Sequence, residues 1–342
     1  MKSALILGIT GQDGSYLAEQ LLAEGYAVHG LVRRASMFNR SRIEHLRTTA
    51  PEAGKLTLHY GDLTDVTSLR RILGKEKPQE IYHLAAQSHV GLSFEIPEVT
   101  CEENGTATLS VLEILRDLGY PVKFYHAASS EVFGAPTSAP QNEGTAFNPV
   151  NPYGCAKAFA AQLCRVYRNA YGVFACNGIA YNHESPRRGE NFVTRKITLG
   201  AARIKAGRQA EIVLGNLDSR RDWGWAPEYV TAMRLMLQAK EPGDYVLATG
   251  RACSVREFAT AAFAELGLAL AFEGQGPAEL ARRQDTGAVV LRIDPKFYRP
   301  VESTTLVGDA ARAKTQLGWT AQTAGPDVAR QMARADFAAL TP

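Results

Sequence analysis

Short apolar runs alternate with amphipathic segments along the first half of the chain. Five runs have the length and composition of strands that are buried on both faces, at residues 3–8, 27–33, 56–63, 79–87 and 122–130. The segment after the first run places Tyr16, Leu17, Leu21 and Leu22 at helical spacing. Regular alternation of strand and helix predicts an α/β fold, in which a doubly wound parallel sheet carries helices on both faces.

The alternation becomes less regular towards the carboxyl end. A long helix is predicted over 151–172, and three later segments, 191–207, 228–240 and 255–267, look helical with short strands between them. We therefore expect two domains. The larger domain, built on the parallel sheet, would comprise residues 1–177 and about 213–252, and the smaller one, of mixed α/β structure, residues 178–212 and 253–342.

Composition and charge exclude several classes of protein. The net charge of +3 is nearly balanced and no tract of lysine or arginine is visible, which argues against nucleic-acid binding. The amino terminus lacks the features of a secretory signal and no apolar run is long enough to span a membrane. The five cysteines show no CxxC pair, so we expect neither disulfides nor a bound metal, and the reducing cytoplasm fits best.

A glycine-rich loop, "GITGQDGS", joins the first strand to the first helix, with glycines at spacings of three. In this context glycine allows a tight turn and lets the backbone approach a pyrophosphate at the positive end of the helix. The alternative is a turn without a ligand, but the alternation that follows favours a Rossmann-like dinucleotide site. The loop residues that we assign to the cofactor are Gly8, Thr10, Gly11, Gln12, Asp13 and Gly14.

The end of the second strand distinguishes between the two nicotinamide cofactors. NAD sites usually carry an acid there for the ribose 2′-hydroxyl, whereas NADP sites use arginine. Arg33, Arg34 and Ser36 follow this strand, and guanidinium groups hydrogen-bond a 2′-phosphate well. The alternative is two solvated surface arginines, but the position favours NADP. Further cofactor contacts are expected after the third and fourth strands, at Asp62 and Leu63 near the adenine and at Leu84, Ala86, Gln87 and Ser88 near the nicotinamide.

Tyr153 and Lys157 form the first candidate catalytic pair. They stand four residues apart in "YGCAK" and so share one face of the predicted helix. A phenol ordinarily has a pKa near 10, and an ammonium group beside it favours the phenolate and lowers that pKa. Such a tyrosine can take a proton from a sugar hydroxyl while hydride leaves the carbon. The alternative is an exposed pair without a role, but the position shortly after "ASSE" favours catalysis.

Ser129 and Glu131 stand at the end of the fifth strand, where open α/β sheets place their ligand crevice. Ser129 can hydrogen-bond the reacting oxygen of a substrate or the tyrosine. Glu131 is unusual, because simple reductases and epimerases of this architecture need no carboxylate there. Removing a carbon-bound proton beside a carbonyl does need a base. The alternative is that Glu131 is only a favourable acid in the first turn of a helix.

Several segments resemble the extended short-chain dehydrogenase/reductase superfamily and, within it, the GDP-mannose 4,6-dehydratase family. They span nearly the whole chain and include "GITGQDGSYLAE", "HYGDLTD", "EIYHLAAQSHV", "NPYGCAK", "NHESPRRGENFVTRK", "LGNLDSRRDWGWAPEYV" and "FYRPVE". The resemblance implies that Tyr153 is the base on the sugar 4-hydroxyl as hydride leaves C4 for NADP⁺. Glu131 then removes the C5 proton, water is lost from C6, and the same hydride returns to C6.

The resemblance also implies binding residues and an assembly. His183 and Arg188 resemble cofactor contacts. The residues that match the nucleotide-sugar pocket are Ser88, Ser129, Glu131, Asn182, Thr194, Lys196, Gly215, Arg221, Arg299 and Glu302. Of these, Arg221 and Arg299 suit a cationic clamp on a diphosphate. The segment 33–46 reaches a neighbouring subunit in this family, which implies a homo-tetramer built from dimers.

Two positions depart from the family pattern and leave alternatives open. Ser129 stands where the family usually has threonine, and Val99 where it often has an aromatic residue, so the pocket for the sugar would be larger. A GDP-D-glycero-D-manno-heptose 4,6-dehydratase is therefore the near alternative. A nucleotide-sugar 4-epimerase and a non-catalytic NADP-binding protein are more distant ones. Glu131 argues against the epimerase, and Ser129, Glu131, Tyr153 and Lys157 together argue against a non-catalytic protein.

Overall fold

The computed structural model of the chain describes residues 1–36, 38–48, 55–297 and 306–341. Its strands are β1 (Ser3–Leu7), β2 (Ala27–Val32), β3 (Leu56–Tyr60), β4 (Glu80–His83), β5 (Lys123–Ser129), β6 (Phe174–Ala180), β7 (Asn182–Glu184), β8 (Ile212–Leu214), β9 (Arg220–Trp225), β10 (Asp244–Leu247), β11 (Ala252–Ser254), β12 (Leu270–Glu273), β13 (Leu280–Arg283) and β14 (Val289–Ile293). Its α-helices are α1 (Gln12–Ala23), α2 (Glu44–Thr48), α3 (Val66–Glu76), α4 (Pro97–Cys101), α5 (Ala107–Asp117), α6 (Pro152–Tyr171), α7 (Val193–Lys205), α8 (Ala226–Gln238), α9 (Val255–Glu265), α10 (Ala311–Leu317) and α11 (Gly325–Leu340). Shorter turns are the 3-10 helices Leu92–Phe94, Ser130–Val132 and Gly276–Ala278 and the π-helix Glu102–Thr106.

Seven of these strands form one sheet in the order β10-β6-β5-β4-β1-β2-β3. Each pair of neighbours in it is parallel. The residues from Ala4 to Leu7 in β1 are at most 1% exposed, as expected for a strand with helices on both faces of its sheet. The strand order reverses next to β1, which confirms the predicted doubly wound, Rossmann-like sheet.

The carboxyl ends of the parallel strands bring the candidate residues of this sheet to one edge. Five candidates stand at or shortly after the ends of β1, β2, β3, β4 and β5, and they are Gly8, Arg33, Asp62, Leu84 and Ser129. This edge is where open α/β sheets bind their ligands, because the crossover helices leave a crevice there. The strand pattern alone therefore gathers residues that are far apart in the chain.

Helix α6 is capped at both ends by residue types that are typical of these positions. The side chain of Asn151 accepts a hydrogen bond from the backbone N–H of Gly154 at its start, and Pro152 occupies the first turn. The helix ends at Gly172, whose φ of 67° is the left-handed conformation that glycine adopts at no steric cost. Among the described residues, no helix has both the length and the apolar character needed to cross a membrane.

The contacts between residues divide the chain into two units. The larger contains Met1–Tyr181, Ala226–Leu247 and Asp309–Thr320, and the smaller contains Asn182–Trp225, Ala248–Gly308 and Ala321–Pro342. These bounds differ from the expected ones most at 213–225 and 309–320. Strands β8 and β9 belong to the smaller unit, because β8 pairs with β14 and β9 pairs with β7 and β11. Helix α10 belongs to the larger unit, where it packs on β10 and α8.

In the residues that the structure describes, the smaller unit contains two short sheets and three packed α-helices. One sheet has the order β11-β9-β7 and the other β12-β13-β14-β8. Helices α7, α9 and α11 pack against one another over a core that includes Trp223 and Phe258, whose rings meet edge to face. This mixed arrangement agrees with the looser sequence pattern of the carboxyl-terminal half.

Candidate active site

The glycine-rich loop is so tight that two of its glycines cannot be replaced without strain. Gly8 has a φ of 93°, and a Cβ built on it would lie 2.7 Å from the backbone nitrogen of Ala85. A Cβ on Gly14 would lie 2.3 Å from the carbonyl oxygen of Gly8. The backbone N–H of Gly11 donates to that same oxygen at 3.0 Å. The loop therefore presents bare backbone and the first turn of α1, which is the form of an anion-binding turn.

The other loop candidates hold the turn together. The side-chain amide of Gln12 donates to Asp13 Oδ1 at 3.0 Å. Arg42 reaches the carbonyl oxygen of Thr10 from the segment after β2, at 3.2 Å. This hydrogen bond from Arg42 connects the segment after β2 to the loop after β1.

A cationic cavity of about 610 Å³ follows β2, and it is lined by Arg33, Arg34, Ala35, Ser36, Phe38, Asn39, Arg40 and Tyr60. Arg33 forms an ion pair with Glu103 at 3.2 Å. Arg34 is exposed and forms no ion pair with any of the described residues. Within the described part of the chain, the guanidinium group of Arg34 can therefore meet an anion in this cavity without first breaking an ion pair.

The candidate residues after β3 and β4 differ in their exposure to solvent. Asp62 is partly exposed and accepts hydrogen bonds from the backbone and hydroxyl of Thr64. Leu63 is only 7% exposed and packs in the hydrophobic core, so its side chain supports the loop. Leu84, Ala86 and Gln87 are partly buried, and Ser88 is exposed.

Sequence reasoning missed Asn104, which supports the loop after β4. Its side-chain amide donates to the carbonyl oxygen of Gln87 at 3.0 Å and to that of Thr100 at 2.8 Å. Asn104 lies in the π-helix, a rare turn that is frequent at functional sites. The Asn-Gly pair at 104–105 within a helical pattern is the only sequence signal for it.

Tyr153 and Lys157 lie in the first two turns of α6, and both are buried. The ammonium group of Lys157 donates to the carbonyl oxygen of Ala127 at 2.9 Å and lies 5.9 Å from the centre of the Tyr153 ring. Burial lowers the pKa of Lys157 to about 8. The hydrogen bond to β5 fixes the position of the charge, so Lys157 can act electrostatically on the phenol of Tyr153.

Ser129 and Glu131 meet in the single turn of 3-10 helix after β5. The backbone N–H of Glu131 donates to Ser129 Oγ at 3.3 Å, so Ser129 caps this turn. A Cβ on Gly154 would lie 2.6 Å from the carbonyl oxygen of Glu131. Only glycine allows the first turn of α6 to come this close to the Glu131 backbone.

Asn151 links the candidate base to the helix that carries the tyrosine, and sequence reasoning did not assign it to the site. Its side-chain amide donates to Glu131 Oε2 at 2.8 Å, while its Oδ1 accepts from the Gly154 N–H at 2.7 Å. One side chain thus orients the carboxylate of Glu131 and caps the helix of Tyr153. The Asn-Pro pair at a helix start was the signal, but it indicates capping rather than chemistry.

In the smaller unit, Glu184 contacts two of the candidate residues, Thr194 and Arg188. It is 1% exposed, accepts a hydrogen bond from Thr194 Oγ1 at 2.6 Å, and forms an ion pair with Arg188 at 3.2 Å. The guanidinium of Arg188 also lies 3.7 Å from the centre of the Phe192 ring. Glu184 therefore holds the Arg188 side chain, although the sequence analysis did not select it. Asn182 and His183, from the same strand, are partly buried.

The hydroxyl of Thr194 is turned to Glu184, but the residue stands in the first turn of α7. Its backbone N–H belongs to the groups at a helix start that lack an intrahelical acceptor. Such groups suit an anionic ligand. Thr194 can thus contribute backbone rather than side chain to a phosphate site.

The remaining candidates of the smaller unit lie around Phe297 and on β9. Lys196 donates to the carbonyl oxygen of Val213 at 3.5 Å and lies 5.0 Å from the centre of the Phe297 ring. A Cβ on Gly215 would lie 2.3 Å from the carbonyl oxygen of Phe297. Arg221 donates to the carbonyl oxygen of Arg220 at 2.9 Å. Arg299 and Glu302 lie outside the described residues.

Comparison with known proteins places this chain in a family. A family model described as "GDP-mannose 4,6 dehydratase" matches residues 5–332. The GDP-mannose 4,6-dehydratase of Sinorhizobium fredii (strain HH103) is 51% identical and covers 99% of this chain and 97% of its own. The human GDP-mannose 4,6 dehydratase is 50% identical, over 97% of this chain and 91% of its own.

A solved structure has the same fold at low sequence identity. The UDP-glucose 4-epimerase from Bifidobacterium longum, in complex with NAD⁺ and UDP, superimposes with a TM-score of 0.80. It is 21% identical and covers 100% of this chain and 99% of its own, so it shows the fold alone. The activity of the chain is better indicated by its close relatives. From the family model and those relatives, the chain belongs to the GDP-mannose 4,6-dehydratase family.

Proposed function

We propose that the protein is an NADP-dependent GDP-mannose 4,6-dehydratase, which converts GDP-D-mannose to GDP-4-keto-6-deoxy-D-mannose and water. The observation that carries this proposal is the link through Asn151, which holds the Glu131 carboxylate against the first turn of the helix of Tyr153. Two proton-transferring groups of different strength are thereby fixed at one end of one sheet. Family membership supports the same conclusion.

The two groups would act in sequence on neighbouring carbons. Tyr153, with the buried ammonium of Lys157 nearby, takes the proton of the 4-hydroxyl as C4 is oxidised. The carbonyl formed at C4 acidifies the proton on C5, and Glu131 removes it and passes it to the hydroxide that leaves C6 as water. When hydride returns to C6, the proton that Tyr153 took from the 4-hydroxyl is delivered to C5. Bound NADP⁺ would supply the hydride acceptor for C4 and return the same hydride to C6. Substrate and product then differ by one water, and the cofactor is unchanged overall.

The carboxylate favours dehydration over epimerisation. A 4-epimerase needs the tyrosine and lysine for hydride transfer at C4, but it breaks no C5–H bond and needs no second base. Glu131 is partly buried and is oriented by Asn151 through a 2.8 Å hydrogen bond. A carboxylate that served only as a first-turn acid would not need this second contact.

The product mass is the first test of this proposal. Incubation with GDP-mannose and NADP⁺ should give a product lighter than the substrate by one water. An isomer of unchanged mass would mean epimerisation and would refute the proposal. GDP-D-glycero-D-manno-heptose, run alongside, tests the alternative that the smaller Ser129 and Val99 allow a larger sugar. A much higher kcat/KM for the heptose would make that sugar the substrate.

The cationic cavity after β2 supports NADP rather than NAD as the cofactor. We expect NADP⁺ to bind more tightly than NAD⁺, because a 2′-phosphate would pair with Arg34 and Arg33. A charge-assisted hydrogen bond contributes roughly 1.5–3 kcal/mol, so Arg34→Ala should weaken NADP⁺ binding about ten- to hundredfold and leave NAD⁺ binding nearly unchanged. Calorimetric titration of both cofactors measures this, with Arg70→Ala, an exposed arginine on α3, as control. Equal affinities of the wild-type protein for both would refute the assignment.

We further propose a homo-tetramer in the cytoplasm. Phe38, in the segment 33–46, is 62% exposed, and an aromatic ring so exposed suits a contact with a second subunit. All five cysteines are unpaired, which suits a reducing compartment. Light scattering in solution should give four times the chain mass of 37.2 kDa, and a monomer mass would contradict the assembly.

A further inference from the structure

Two histidines and a glutamate converge at the edge of the parallel sheet, apart from the candidate catalytic residues. His29 Nδ1 lies 3.1 Å from His59 Nε2, and Glu76 Oε2 lies 3.8 Å from His29 Nδ1. The three ligand atoms all lie within 4.8 Å of one another. Nothing in the chemistry proposed above uses these side chains.

The fold brings these residues together from three elements. His29 lies on β2 and His59 on β3, which is the last strand at this end of the sheet. In the parallel register His29 stands opposite Thr57, two residues before His59, so both imidazoles project from the same face. Glu76 is the last residue of α3, the helix that follows β3. A search for ligands close together in sequence would not find this cluster.

The distance between the two ring nitrogens is close to that in a tetrahedral zinc site. Zinc binds imidazole nitrogens at about 2.0–2.1 Å, so two such ligands at the tetrahedral angle lie roughly 3.3–3.4 Å apart. The two ring nitrogens are already 3.1 Å apart. The carboxylate oxygen lies 3.8 Å from His29 Nδ1 and within 4.8 Å of His59 Nε2, so it would have to move towards the two nitrogens by about half to one and a half ångström. Two imidazoles and one carboxylate suit Zn²⁺, whereas Mg²⁺ and Ca²⁺ prefer oxygen ligands alone.

The protonation states also suit a cation. Burial lowers the pKa of His29 and of His59, so both rings are neutral and offer lone pairs at neutral pH. The hydrogen bond with Lys75 lowers the pKa of Glu76, which keeps the carboxylate ionised. The ammonium group of Lys75 lies 3.0 Å from Glu76 Oε1, whereas Glu76 Oε2 is the oxygen nearer His29. The side chains of His29 and Glu76 are 12% and 18% exposed, which leaves a path for entry and room for a water.

We propose that His29, His59 and Glu76 form a zinc-binding site whose fourth ligand is water. The ion would join β2, β3 and the end of α3, which are otherwise connected at this edge by the strand ladder and side-chain packing. Arg33 follows β2 and Asp62 follows β3. The ion would therefore stabilise the two strands that precede these candidate adenosine-binding residues. Because the unfolded chain does not hold the three ligands together, zinc would stabilise the folded state.

The competing explanation is a hydrogen bond between two neutral imidazoles beside a surface ion pair. In that case one ring donates its N–H to the other, and the distance of 3.1 Å has no further meaning. The two explanations differ in what added zinc does, because zinc binding requires a lone pair on both nitrogens.

Zinc titration of the full-length protein, freed of metal by a chelator, tests the proposal. Isothermal calorimetry with ZnCl₂ should show one ion per chain, and thermal unfolding should move to higher temperature, while MgCl₂ should do neither. CoCl₂ should give the visible absorption of tetrahedral cobalt. The experiments use the Cys101→Ser/Cys155→Ser background, since these two exposed thiols could bind zinc themselves.

Variants decide where the ion binds. His59→Asn should weaken zinc binding by at least the roughly ten- to hundredfold seen when a supporting residue of a metal site is lost, and it should remove the cobalt absorption. Glu76→Gln is a milder second variant, should His59→Asn fail to fold. The control is His45→Asn, which removes an exposed histidine beside Glu19 and should leave binding unchanged. No binding of zinc, or unchanged affinity in both His59→Asn and Glu76→Gln, would overturn the proposal.

Discussion

Replacing Tyr153 by phenylalanine should lower kcat for GDP-mannose by roughly 10²–10⁴-fold, the usual contribution of a general acid or base. The substitution removes only the phenolic oxygen. The ring is 8% exposed and packs in the first turn of α6, so the fold should tolerate the change. With the base for the 4-hydroxyl gone, oxidation at C4 should slow as much as overall turnover. In a single turnover, no reduced nicotinamide should accumulate.

Steady-state rates and the fluorescence of reduced nicotinamide measure this together. Tyr171→Phe is the matched control, because Tyr171 ends the same helix, is 53% exposed and is remote in sequence from the site. It should keep wild-type kcat. If Tyr153→Phe formed reduced cofactor at the wild-type rate, another group would have to take the first proton, and the role given to Tyr153 would be wrong.

Five of the seven strands of the main sheet, β1 to β5, could be predicted from sequence because each lies in a short, mostly apolar run. A strand covered by helices on both faces carries mostly apolar side chains, as in β1, where Ala4 to Leu7 are at most 1% exposed. Helix α11 was not predicted. Its buried stripe includes Ala329, Met332 and Ala333 among charged residues, and alanine gives little hydrophobic contrast.

The unit bounds could not be read from composition. Strands β8 and β9 look like further strands of the main sheet, and only their pairing with β14, β7 and β11 places them elsewhere. Such pairing joins residues that are far apart in the chain. It depends on which sheet edge is free, and a local pattern does not contain that information.

The candidate site likewise contains residues that could be identified from the sequence and residues that could not. Residues with a known spacing, such as Gly8, Tyr153 and Lys157, could be selected because local geometry fixes them. Asn151 and Glu184 were not identified from the sequence, because each acts by contacting a residue from another turn or helix. Supporting residues of this kind carry no spacing rule, and only coordinates reveal them.

Replacing Glu131 by glutamine should separate the two halves of the proposed reaction. Glutamine has nearly the same shape and can still accept the hydrogen bond from Asn151, but it cannot take a proton from C5. We expect kcat to fall by roughly 10²–10⁴-fold while oxidation at C4 still occurs. Reduced nicotinamide should therefore accumulate on the protein after GDP-mannose is added, which is the opposite of the result for Tyr153→Phe.

Isotope exchange gives a second readout of the Glu131 variant. In deuterated water the wild-type protein should place deuterium at C5 of the product, because the proton removed there exchanges with solvent. Glu131→Gln should not, and Glu95→Gln, at an exposed position, should behave as wild type. The amount of deuterium that Asn151→Ala places at C5 should lie between that of the wild type and that of Glu131→Gln. This substitution leaves the carboxylate in place but removes the hydrogen bond that orients it. Normal turnover of Glu131→Gln, or slow turnover without reduced nicotinamide, would each mean that this carboxylate is not the base at C5.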